Sequence, residues 1–97
     1  MVVCNSLEEV RANIDILDDK LVELISQRSH FVRQAAKFKD SVDEVKADDR
    51  IEFIMQKVRR KAIELDVSPN LISELFTIMI HEMVETEISE LRNAQTF

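Results

Sequence analysis

Ninety-seven residues with 45% hydrophobic and 33% charged content, no Gly, Trp or Tyr and a single Pro amount to one domain. Without Gly, tight hairpins and phosphate-cradling loops are disfavoured, which leaves long helices. A net charge of −6 with five Phe as the only aromatics argues against nucleic-acid binding, and one Cys with two scattered His excludes a disulfide within the chain and disfavours a metal site.

The stretch from Met1 to Leu7 has no basic n-region or apolar h-region, and no apolar run approaches the roughly 18 residues of a membrane span. A soluble, cytoplasmic protein is expected. Residues 1–5 read as frayed. Ser6 followed by Glu9 is a capping-box signature, so the first helix is expected to begin there and run to about Lys39. Its seam is Val10, Ile14, Leu17, Leu21 and Leu24, then Phe31, Ala35 and Phe38, at alternating steps of four and three. Arg28 breaks that seam. Lys39 follows 11 residues later; on a continuous helix that is three turns plus about 20°, nearly the same face. A helix on the order of 50 Å is too long for a compact monomer of this size. An obligate homodimer is therefore expected, with the seam buried against a second copy.

Asp40 to Lys46 shows no strong period and reads as a loop. A second helix is expected from Ala47 or Asp48, with Asp48 and Asp49 suited to the positive end of its dipole. Its stripe is Ile51, Ile54/Met55, Val58, Ala62 and Leu65. Lys57, Arg59, Arg60 and Lys61 read as a solvated face. Ser68-Pro69 is a helix-start pair, and a third helix is expected from there to about Arg92. Its apolar face holds Ile72, Leu75/Phe76, Met79/Ile80, Met83 and Val84, and one turn further along that face stands Glu87.

Arg28 and Glu87 are thus polar groups on apolar faces. A structural ion pair between the two would account for both. Alternatively, Arg11, Arg28, Lys39 and Arg50 are four cations that could surround a small dianion. Arg11 lies 17 residues before Arg28, about 100° round the helix, so it points elsewhere and could reach a partner's site in a dimer. His30 and His81 read as surface or packing residues and Cys4 as an inert thiol. No nucleophile–base pair is visible, so the chemistry such a site suits is orientation and stabilisation of developing charge, without covalent catalysis.

Arg11, Arg28 and Lys39, spaced 17 and 11, with Arg50 following on three helices, resemble the all-helical (type II) chorismate mutases over residues 7–92. The resemblance implies an all-α fold in which three-helix chains with a long N-terminal helix interlock as a homodimer. Residues 1–97 would form a single domain catalysing the Claisen rearrangement of chorismate to prephenate without a cofactor. By the same resemblance Arg28 binds the side-chain carboxylate and Arg11 reaches a carboxylate from the other protomer. Lys39 hydrogen-bonds the ether oxygen where negative charge develops, and Arg50 is a further substrate-binding Arg. Glu87 falls where many bacterial members have Gln, the second donor to that oxygen.

Three departures stand out. The Lys39–Arg50 connection is one residue shorter than in the best-known bacterial mutases. Ile51 replaces a Glu that meets the ring hydroxyl, and Met83 stands where Ser is frequent. The short loop, Ile51 and the run Ala35-Ala36-Lys37-Phe38-Lys39 resemble the isochorismate-pyruvate lyases of salicylate and siderophore biosynthesis. Chorismate mutase is the first expectation; that lyase, or a mutase of an amino-substituted chorismate, is the alternative, and a non-catalytic helical dimer stands behind both. A carboxyl must be protonated to donate to an ether oxygen. Activity is therefore expected to fall as rising pH ionises Glu87, and Glu87→Gln to flatten the profile.

Overall fold

The computed structural model describes residues 3–95; Met1 and Val2, part of the stretch read as frayed, lie outside them. The chain is all-α. Helix α1 spans Leu7–Ala36, α2 Val42–Lys46, α3 Asp48–Glu64 and α4 Pro69–Gln95, and no strand occurs among the described residues. The chain forms two compact units, one reaching to Phe31 and one beginning at Val32.

In the first unit α1 starts as expected. The Ser6 hydroxyl accepts from the Glu9 amide at 3.1 Å. The returning carboxylate goes one residue further than a capping box requires, accepting from the Asn5 amide at 2.8 Å. The seam residues Val10, Ile14, Leu17, Leu21 and Leu24 are all exposed, as is Phe31. Ile25 widens the stripe, while Ile16 and Val22, off it, are exposed as well. The Asn13 amide donates to Cys4 Sγ at 3.5 Å.

In the second unit, α1 ends at Ala36 and not at Lys39. The amides of Lys37, Phe38 and Lys39 bond back three residues, to Gln34, Ala35 and Ala36, which tightens the last turn and ends it. Asp40 and Ser41 then lie between the two helices, Ser41 as the N-cap of the next. The segment expected as a loop contains α2, capped by Ser41, whose hydroxyl accepts from the Glu44 amide. Val42 and Val45, three apart, give this short helix an apolar side. Val45 is 3% exposed and clusters with Ile88 and Leu91 of α4, each 7% exposed, with Val42 and Val84 packed around them.

Helix α3 packs along α4. Its stripe is half-buried at Ile51, Ile54, Met55 and Val58 and buried at Ala62, whereas Leu65 is exposed. After α3 the chain reverses with Asp66 at φ 58°. The amide of Val67 bonds Ala62 O at 2.9 Å and that of Asp66 bonds Ile63 O at 3.2 Å, a Schellman closure with Asp in the left-handed place usually held by Gly. Helix α4 is capped by Ser68, which accepts from the Leu71 amide at 3.2 Å, and Pro69 opens its first turn. Arg59, on the exposed face read from sequence, donates to Pro69 O, Asn70 Oδ1 and Ser73 Oγ across the turn.

Candidate functional site

Lys39 leaves the end of α1 on an irregular segment, so its direction is not set by the 11-residue helical spacing from Arg28. Its ammonium donates to Glu87 Oε2 at 2.8 Å, with the Lys39 side chain 25% and the Glu87 side chain 6% exposed. Glu87 is the one buried charged residue of the described chain. It is buried because it continues the apolar face of α4, between Val84 and Leu91, where a hydrophobe would otherwise stand. A buried carboxylate needs a cation, and the fold supplies Lys39 from 48 residues away. An ammonium carries three donors; this bond uses one of them.

A groove of ≈ 400 Å³ runs between α3 and α4, with Ile51, Met55, Ile80 and Val84 on its walls and Lys46, Asp48, His81 and Glu85 on its rim. Glu87 stands three residues past Val84, roughly 4.5 Å further along α4 and about 60° round it. Arg50 is exposed in the first turn of α3, its guanidinium carbon 5.3 Å from the centre of the Phe53 ring one turn on. On α1, Arg11 is exposed and Arg28 half-buried. Seventeen residues of helix put them roughly 25 Å apart along the axis.

Of the five residues singled out from sequence, Lys39 and Glu87 are brought into contact. This contact is an addition to the pair suggested from sequence, which joined Glu87 to Arg28. The element near Lys39 that sequence reasoning missed is α2, which is capped by Ser41 and packs through Val45 onto Ile88 and Leu91. Its signal was present: Ser41-x-x-Glu44 repeats the Ser6-x-x-Glu9 pattern. His30 and His81 are exposed. Among the described residues no helix is long and apolar enough to cross a membrane, and no three His, Cys, Asp or Glu side chains gather as a metal site.

All-helical, with a part-buried ammonium–carboxylate pair close to an apolar groove, the chain falls in the class of small all-α proteins. Residues 10–88 match the family described as chorismate mutase type II. The chain belongs to that family. It is 26% identical over 92 residues to an isochorismate pyruvate lyase of Pseudomonas aeruginosa, covering 95% of this chain and 91% of the relative. It is 28% identical over 75 residues to a chorismate mutase of Methanocaldococcus jannaschii, covering 76% of each. Both relatives are enzymes by name.

Proposed function

We propose that this chain is a chorismate mutase, a cytoplasmic single-domain enzyme that rearranges chorismate to prephenate without cofactor or covalent intermediate. The observation that carries the reading is the Lys39–Glu87 pair. Glu87 fixes one donor direction of the ammonium, and the remaining donors are available to an ether oxygen. As the C–O bond breaks and the C–C bond forms, negative charge grows on that oxygen. A donor already oriented there stabilises the transition state more than the ground state. In the ligand-free chain Glu87 accepts from Lys39. Arg28 and Arg50 hold the substrate in this reading, each suited to a carboxylate by its planar fork of donors.

The same reading makes the protein a homodimer. At roughly 25 Å apart on one helix, Arg11 and Arg28 are too far separated for one small molecule to touch both. Arg11 therefore serves the partner's site. The five seam residues from Val10 to Leu24 are each about half exposed; burying the remainder, at about 1 kcal/mol each, would contribute roughly 5 kcal/mol per chain and about 10 kcal/mol for the pair, comparable to the cost of association.

Ile51 favours a second reading, isochorismate-pyruvate lyase. It lines the groove with an apolar side chain where a mutase would place a carboxylate for the ring hydroxyl. Offering the purified protein chorismate and isochorismate separately, with prephenate, salicylate and pyruvate as readouts, separates the two. In whichever reaction it catalyses, Lys39→Gln, which keeps a donor for Glu87, is expected to lower kcat by roughly 10²–10³. Arg28→Ala is expected to abolish turnover while the dimer persists. Turnover unaffected by either change would leave the non-catalytic helical dimer as the reading that survives.

A further inference from the structure

We propose that Glu44 and Ser41 are positioning residues for Lys39, and that α2 is a clip setting the ammonium on Glu87. The inference deepens the reading above and rests on it for the role of Lys39. The backbone on either side of Lys39 is tied down. Its own amide bonds Ala36 O at 3.3 Å, and Ala36 is buried. The next amide, Asp40 N–H, donates to Glu44 Oε2 at 2.7 Å. Glu44 is held in turn, since its amide donates to Ser41 Oγ at 3.2 Å. The helix bearing Glu44 is anchored through Val45 onto Ile88 and Leu91. Ile88 adjoins Glu87 in sequence. The clip and the carboxylate it serves are therefore both referred to the same turns of α4.

A lysine on a flexible four-carbon stem needs such a fixed base. Without the Glu44 tie, the stretch from Lys39 to Ser41 loses its connection to α2 and the ammonium samples positions away from Glu87. Because charge on the ether oxygen develops only as the bond breaks, misplacing the ammonium lowers kcat and leaves KM nearly unchanged. Glu44 and Ser41 are exposed, so neither substitution takes a side chain out of the Val45 cluster.

The test compares Glu44→Ala, Glu44→Gln and Ser41→Ala with wild type in two measurements. The first is steady-state turnover of chorismate, or of isochorismate if that is the substrate. Glu44→Ala and Ser41→Ala are expected to reduce kcat about tenfold at nearly constant KM. Glu44→Gln, which retains an acceptor for the Asp40 amide, is expected to keep wild-type kcat. The second is amide hydrogen exchange in the ligand-free protein, which needs no substrate. Asp40 is expected to exchange about tenfold faster in Glu44→Ala and at the wild-type rate in Glu44→Gln. Unchanged exchange at Asp40 in Glu44→Ala, an undiminished kcat in it, a raised KM with constant kcat, or a Gln variant as impaired as Ala would each overturn the proposal. The underlying reading fails separately: there Lys39→Gln leaves turnover intact whatever Glu44 does.

Discussion

The two units of this chain use hydrophobic residues in opposite ways. The first, up to Phe31, carries the most regular apolar pattern in the sequence, yet none of its described residues is buried. The second has less regular patterning and holds every buried residue, with Val45, Ile88 and Leu91 as its cluster. Regular periodicity thus reports that a surface is to be covered; it does not say that the same chain covers it. The proposed homodimer is what would cover a continuous apolar stripe of this length.

The largest effect should come from attacking the stripe. Replacing Leu17 and Leu21 together with Glu is expected to abolish the proposed dimer, read by sedimentation, and to remove activity with it, since Arg11 is proposed to serve the partner's site. A wild-type protein that sediments as a monomer at all concentrations would break the contrast between the units. The matching change in the second unit is Leu91→Ala. Truncating this buried side chain is expected to cost about 2–5 kcal/mol in denaturant unfolding, while the variant still assembles when folded. The smallest effect is a gain: Asp66→Gly relieves the left-handed backbone at the α3–α4 turn and is expected to stabilise by about 0.5–1 kcal/mol, raising Tm by a few degrees.

Helix starts were legible because their chemistry is local. Ser6 and Ser68-Pro69 announce helices through hydroxyls that accept from amides three residues on, and both do so in the structure. The faces of α3 and α4 followed from their period, including the burial of Glu87. Helix α2 was not legible by period, since Val42 and Val45 are too few to define one. The end of α1 was equally hidden: no Gly or Pro marks Ala36, and it stops where Asp40 and Ser41 are taken up by the next cap. The Schellman closure was missed because Asp66 occupies a place where Gly is the usual sign. The Lys39–Glu87 contact could not be read from spacing, because a pairing across 48 residues depends on how α2 seats on α4; only the resemblance, which puts both residues at one ether oxygen, brought them together.

Arg59 has a bearing on the order in which these parts come undone. Its bonds to Pro69, Asn70 and Ser73 close spans of 10 to 14 residues, whereas Lys39 and Glu87 close a span of 48. On loop-closure grounds the longer span costs about 1 kcal/mol more chain entropy. The α3–α4 hairpin, stapled by one guanidinium, is therefore the more self-sufficient piece. A molecule under mild stress would part at the ammonium–carboxylate pair first, well before the α3–α4 hairpin opens.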